Sequence, residues 1–266
     1  MKWIKKDSSI IFFVIGLVMC VYPVVSNFIV NNFQSDIINT YETTTKKISD
    51  ERKNKELELA NYYNQSLINS TMKSNNSYEN ILNINGDEVI GSLEIPSINV
   101  NIPIFHGTED DKLNIGAGHL EGTSLPVGGK NTNSVITGHR GLPTSKLFTR
   151  LDELKKGDMF YINVLNDTLA YEVKELRVVS PEDINSIKII RNKDIVTLVT
   201  CTPYGLNTKR LLVIGERTEY DQNKKENIKE KITSIREVIF YLVPLLLFGL
   251  GIFIFSSKRK GVRSDE

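Results

Sequence analysis

The chain is poor in thiols, in imidazoles and in charge of either sign to spare. Its 266 residues hold two cysteines and three histidines, and 33 basic residues stand against 32 acidic ones. A net charge of +1 leaves no concentrated basic surface, so nucleic acid is excluded as the main partner. One external cysteine and three scattered histidines match no usual zinc spacing, and nothing calls for another cofactor. Glycine and proline are missing altogether from Asn27 to Asn83. With no turn signal to interrupt it, apolar spacing there predicts helix.

Long apolar runs are scarce too, and the two that exist stand out. "IIFFVIGLVMCVYPVV" (Ile10–Val25) follows the basic start "MKWIKK", and "VIFYLVPLLLFGLGIFIF" (Val238–Phe255) precedes "SSKRKGVR". A membrane-crossing helix takes about 20 largely apolar residues and tolerates Pro and Gly. Both runs are expected to span. The first also resembles a signal peptide, but "VVSN" is a poor small-residue cleavage site, so it is expected to persist as an anchor. Lys2, Lys5 and Lys6 precede it and no Lys or Arg follows until Lys46, which keeps the N-terminus in the cytoplasm. Lys258, Arg259, Lys260 and Arg263 do the same for the C-terminus. The stretch between exceeds the ~60-residue length at which loop charges count, so it is expected outside.

Composition divides the chain into a tail (1–9), an anchor (10–26), a polar helical stalk (27–90), a main domain (91–220), a charged linker (221–237), a second span (238–256) and a basic tail (257–266). In the stalk, Ile29, Phe33, Ile37 and Tyr41 recur every fourth residue, and Leu57, Leu59, Tyr63 and Leu67 follow less regularly. One or two helices are predicted, flanking the domain or raising it from the membrane, with "NSTMKSNNSYEN" (Asn69–Asn80) as a loop. From Gly91 the pattern turns to short β-favouring runs: "GSLEIPSINVNIPIF", "NSVITGH", "MFYINVL", "TLAYEVKELRVVS", "DIVTLVT" and "RLLVIGER". Many short strands in one domain predict a closed or nearly closed barrel, or a sandwich. "TSKLFTRLDEL" (Thr144–Leu154) reads as a short helix with Leu147, Leu151 and Leu154 on one face, and Glu219–Lys231 as a solvated linker.

Cys201 is the one thiol of the external region, Cys20 lying within the first apolar run. It is a reactive nucleophile, an intermolecular partner, or a small buried residue. A free thiol has a pKa of about 8.5, so catalysis would need a partner to carry protons and a donor where negative charge develops. His139 ends a strand-like run as Cys201 does, and two strand ends on one rim can meet. His106 and His119 sit in glycine-flanked sequence, where a surface or turn-packing role is expected. Arg210 opens the strand after the cysteine loop. Its guanidinium cannot be a base, but it can hold an oxyanion or form an ordinary surface ion pair.

Together these segments resemble a known family. "TLVTCTPYGLNTKRL" is similar to the sortase signature, and "ITGHRGLPTSKLF" to the matching histidine segment. The wider likeness, Gly91 to Tyr220, takes in "GSLEIPSINVNIPIFHGT" and "GAGHLEGTSLPVGGKN" and runs closest to the class C, pilus-assembling sortases. The resemblance implies a mainly β fold: a closed eight-stranded barrel with short helices, a helical stalk and two flanking transmembrane helices. It implies Cys201 as nucleophile, His139 as acid/base and Arg210 as oxyanion and substrate-orienting group. The substrate would be an LPXTG-like sorting signal, cleaved between Thr and Gly through a thioester and passed to a pilin lysine. Attachment to a cell-wall peptidoglycan precursor, simple proteolysis, and a non-catalytic anchored scaffold or sensor are the alternatives. Many class C enzymes carry a lid with an Asp-Pro-aromatic motif. This chain has no Asp-Pro, so an absent or altered lid is expected, with Tyr78 a surface residue rather than a plug.

Overall fold

A computed structural model describes residues 2–69, 72, 77–231, 238–239 and 242–252. Two compact units result: residues 1–29 with 232–266, and Val30–Lys231.

The larger unit is built on a closed barrel. Its strands are β1 (Val89–Ile95), β2 (Val100–His106), β3 (Ala117–His119), β4 (Thr132–Thr137), β5 (Met159–Val164), β6 (Asp167–Val179), β7 (Asp194–Thr202) and β8 (Lys209–Thr218). Around the barrel they run β1-β2-β3-β4-β7-β8-β6-β5, and β5 pairs back with β1. Closure leaves no open sheet edge. The β-favouring runs supply every strand except β3, whose three residues are too few to show a period. Side chains alternate faces along a strand. Ile136, Leu198 and Val213 are register partners on neighbouring strands and are all buried in the main apolar cluster, so they define the inner face. Full burial of such side chains contributes roughly 1.5–3 kcal/mol each.

Two pairings are parallel, β2 with β3 and β4 with β7. A parallel pair needs a crossover connection, and between β4 and β7 it carries β5 and β6. Its consequence is positional: β4 and β7 end on the same rim.

Helix α1 (Lys2–Thr45) is, among the described residues, the helix long and apolar enough to cross a membrane. Its last turns dock on the barrel with Gln34, Ile38, Tyr41 and Thr45, all buried. The every-fourth-residue face read from sequence is displaced: Ile29 and Phe33 are exposed. A spacing of four drifts about 40° per step on a 3.6-residue helix, whereas the observed mixed spacing stays in line. Tyr41 Oη donates to Ile90 O at 2.9 Å and accepts from Leu165 N at 3.2 Å. Helix α2 (Asp50–Ser66) starts at Ser49, whose side chain accepts from Arg52 N, with Asp50 and Glu51 in the first turn. It buries Ala60, Tyr63 and Asn64, and Asn64 exchanges two hydrogen bonds with the Leu125 backbone. The stalk is therefore a flank of the barrel.

Four local expectations change. Tyr78 is buried, not a surface residue, and His106 and His119 are buried in β2 and β3 as register partners rather than lying in loops. Residues 144–154 form no α-helix. Leu147 takes a left-handed backbone, Phe148 N–H bonds back to His139 O at 3.1 Å, and only Leu151–Glu153 makes a 3-10 turn. The three leucines are nonetheless buried. The segment read as a solvated linker is strapped to the barrel through 231: Lys225 Nζ meets Glu94 at 2.6 Å, and Lys231 Nζ meets Asp158 at 2.6 Å. Of the expected second span (238–256), Leu242–Ile252 forms an exposed apolar helix, and residues 240–241 and 253–256 lie outside the described residues.

Candidate active site

The rim where β4 and β7 end carries the three residues singled out in the sequence. Cys201 and Arg210 are directly opposed in the antiparallel β7–β8 ladder. Such pairs lie about 4.5–5.5 Å apart at Cα. In the parallel β4–β7 ladder Thr137 is level with Val199, and the pairing runs on past the strand end. Gly138 N–H donates to Val199 O at 3.1 Å, and Thr200 Oγ1 donates to Gly138 O at 2.7 Å. Continued by one step, this register would bring His139 level with Cys201. Gly138 must be glycine there: a Cβ would stand 2.7 Å from the Phe148 ring.

Parity fixes the face. Thr137, Val199 and Leu212 are successive register partners on the outer surface; His139 and Cys201 follow the first two by two residues, and Arg210 precedes Leu212 by two on the antiparallel β8. The same outer surface holds a groove of about 240 Å³, lined among others by Leu120, Val135, Thr137, Val199, Leu212 and Arg210. An apolar outer face on a barrel is unusual, and here the segment Pro181–Ile187 forms its opposite wall. That segment is tethered by Asn133 Nδ2, which donates to Ile187 O at 2.9 Å and Lys188 O at 3.2 Å.

All three side chains are partly exposed. The Arg210 guanidinium donates to Asn207 O at 3.3 Å and Lys209 O at 3.1 Å, and no carboxylate among the described residues pairs with it. His139 Nε2 lies 4.0 Å from Asp110 Oδ1 of α3 (Asp110–Leu113), a carboxylate almost wholly in solvent. A thiol, an imidazole and a guanidinium with no carboxylate partner among the described residues can supply a nucleophile, a proton carrier and an oxyanion donor. No group of three or more metal-binding side chains occurs among the described residues.

The other two imidazoles are engaged elsewhere. His119 Nε2–H donates to Ser124 O at 2.8 Å, and Nδ1 accepts from Tyr78 Oη at 2.7 Å. Burial pushes its pKa down to about 4, and burial likewise lowers that of His106, whose Nε2 meets Ile81 O at 2.7 Å. Sequence reading passed over Thr200 and Arg140, which flank Cys201 and His139. Both lie within the segments that resemble the sortase signature, where nothing but position set them apart.

A Sortase domain model matches residues 93–218. Sortase A of Listeria monocytogenes is 31% identical over 84% of this chain and 96% of its own length. The chain belongs to the sortase family. Among solved structures, sortase C of Clostridium perfringens with the C-terminal cell wall sorting motif is 48% identical, covering 70% of this chain and 100% of that one, with a TM-score of 0.64. Sortase C1 of Streptococcus agalactiae is 44% identical, covering 71% of this chain and 98% of that one, with a TM-score of 0.66. The protein is thus a sortase cysteine transpeptidase of class C type. The sortase barrel expected from the sequence is the one observed.

Proposed function

We propose that this sortase is anchored in the membrane by α1 and the second apolar run, with the barrel outside and both termini in the cytoplasm. There it joins pilin subunits. The Cys201 thiolate attacks the Thr–Gly carbonyl of an LPXTG-like signal, and the Arg210 guanidinium takes the developing oxyanion. The C–N bond breaks as His139 gives a proton to the departing glycine amine, leaving a thioester on Cys201. A pilin lysine amine then attacks the thioester, its proton passes to His139, and the thiolate is released as the isopeptide forms.

The observation that carries this reading is the Cys201–Arg210 register pair with His139 just past the end of β4 on the same rim, beside an apolar groove. The groove suits an extended Leu-Pro segment, and the C. perfringens relative crystallised with a sorting motif supports that class of substrate. Transfer to a peptidoglycan precursor is the second reading, kept by the match to a protein named sortase A over nearly its whole length. Intact-mass spectrometry of the full-length chain in detergent, given an LPXTG peptide and then a lysine-bearing pilin fragment, tests both. A Cys201 thioester that passes to the lysine supports pilus assembly. A thioester discharged only by a peptidoglycan-precursor amine moves the assignment to cell-wall attachment, and one discharged only by water to proteolysis. Undiminished function in Cys201→Ala would mean a scaffold.

A further inference from the structure

Arg140 follows His139 directly, yet it is an arginine almost completely out of solvent, its side chain 2% exposed. Burying a guanidinium is costly unless its charge is paired and its donors are used. Here Asp152 pairs the charge and Thr202 takes a donor, while the buried Nε has no hydrogen-bond partner among the described residues. One terminal nitrogen forms an ion pair with Asp152 in the 3-10 turn. The other donates to Thr202 Oγ1 at 3.3 Å, one residue beyond Cys201. The guanidinium plane lies over the Tyr204 ring, 5.7 Å from its centroid, in the β7–β8 loop. Gly141 completes the junction: it takes a left-handed backbone with a φ of 80°, and a Cβ there would stand 3.0 Å from the Tyr204 ring. Its N–H donates to Thr149 Oγ1 at 3.2 Å.

We propose that Arg140 is a positioning residue for transpeptidation, a three-way clamp that fixes the His139 turn against the Cys201 strand end. Its backbone is continuous with His139 and its side chain grips the residue after Cys201. The separation of imidazole and thiol is therefore set from both sides by one planar group. The β4–β7 pairing fixes this separation only as far as Gly138 and Thr200; beyond them His139 leads into a loop while Cys201 and Thr202 continue in β7 against β8, and Arg140 links that loop to Thr202. Lysine cannot replace it, because a point charge on a flexible stem cannot reach carboxylate, hydroxyl and ring face together. Among the described residues Arg140 makes no hydrogen bond to the thiol, and it is not one of the residues lining the groove, so it acts through His139.

This inference rests on the catalytic reading of Cys201 and His139, and the test separates the two. Thioester formation at Cys201 is followed on the full-length chain in detergent by quenched-flow mass spectrometry over a series of LPXTG peptide concentrations. Wild type, Arg140→Lys and Asp152→Asn are compared, each below its melting temperature. A misplacement of about 1 Å costs on the order of 100-fold in rate. Arg140→Lys is expected to lose about that much in maximal rate with half-saturation changed less than about threefold. Asp152→Asn, which keeps the arginine and frees it on one side, is expected to lose about tenfold in the same way, and it serves where Arg140→Lys does not fold. The double variant is expected to match Arg140→Lys alone, since both act on one unit. Maximal rates equal to wild type in the folded variants overturn the clamp while leaving the catalytic reading intact. A loss confined to half-saturation also overturns it, by assigning Arg140 to peptide binding. A wild type that forms no thioester overturns the catalytic reading and the clamp together.

Discussion

Cys201 and Arg210 face one another across the β7–β8 ladder, and the next register partner of Arg210, on β6, is Val179. Arg210 thus sits on β8 between Cys201 and the groove-lining Val179, and its guanidinium donates to the backbone carbonyls of Asn207 and Lys209. Removing one oxyanion donor typically costs about 10²–10³ in kcat. Arg210→Ala is expected to lower kcat/KM for an LPXTG peptide by that factor without changing the melting temperature by more than a degree or two. Arg210→Lys should recover little, because the ammonium lacks the fork. Steady-state kinetics on both variants check this, and near-wild-type turnover in Arg210→Ala would remove the oxyanion role.

Thr200 is buried and spends its hydroxyl on Gly138 O. Thr200→Val keeps the shape and strands a carbonyl one residue before His139. An unsatisfied buried group costs about 1–3 kcal/mol, so urea unfolding should register a loss of that size. A fall in kcat of several-fold with unchanged KM should accompany it, as the His139 turn loosens. Stability lost with no kinetic change would confine the bond to a structural role.

How much of this was legible in the sequence follows from what each segment answers to. The strands β1, β2 and β4–β8 answer to local alternation and β-branched content, and the period showed them. Cys201, His139 and Arg210 sit at strand ends, where a short run stops and a turn begins, so their placement on a rim could be anticipated. Their common register could not be, because the β4–β7 pairing is parallel and spans a long crossover that leaves no local trace. Tyr78, His106 and His119 were misplaced for a related reason. Each looks polar in a glycine- or asparagine-rich context, and burial becomes tolerable only once distant partners satisfy the rings, as Tyr78 Oη does for His119 and Ile81 O for His106. The strap at 219–231 reads as solvated because its lysines are charged. Their carboxylate partners lie on β1 and just ahead of β5, far away in sequence.

The buried imidazoles give the fold a pH dependence of known sign. His119 is held neutral, its pKa lowered from 6.5 to about 4 by burial, and His106 is lowered in the same direction. The unfolded chain therefore binds more protons than the native one between about pH 6.5 and 4, and stability falls as pH drops through that window. Below the folded values no further loss comes from these groups. Chemical denaturation at pH 7 and pH 5 should show a decrease on the order of one to a few kcal/mol. His119→Gln, which cannot titrate, should show a smaller pH-dependent decrease than wild type whatever its stability at pH 7. An equal decrease in both proteins would place the titrating group elsewhere.

The boundary of the folding unit is the last consequence, and it bears on every assay above. The sequence marks the barrel off at Gly91 and Tyr220, but the compact unit runs from Val30 to Lys231. Upstream of Gly91, Ala60, Ile81, Leu82 and Ile90 are fully or almost fully buried in the same apolar cluster as the barrel interior. Tyr41 reaches across from α1 to satisfy Ile90 O and Leu165 N. A chain cut to 91–220 exposes that apolar surface and strands the Leu165 N–H, whereas one cut to 30–231 keeps both. The shorter form is expected to aggregate or to melt well below the longer one. Tyr41→Phe in the full-length chain isolates one contribution: loss of the hydroxyl alone should cost about 1–3 kcal/mol. Thermal melts of the two truncations and of Tyr41→Phe decide the matter. Equal melting temperatures for 91–220 and 30–231 would mean that the helical flank rests on a barrel able to fold without it.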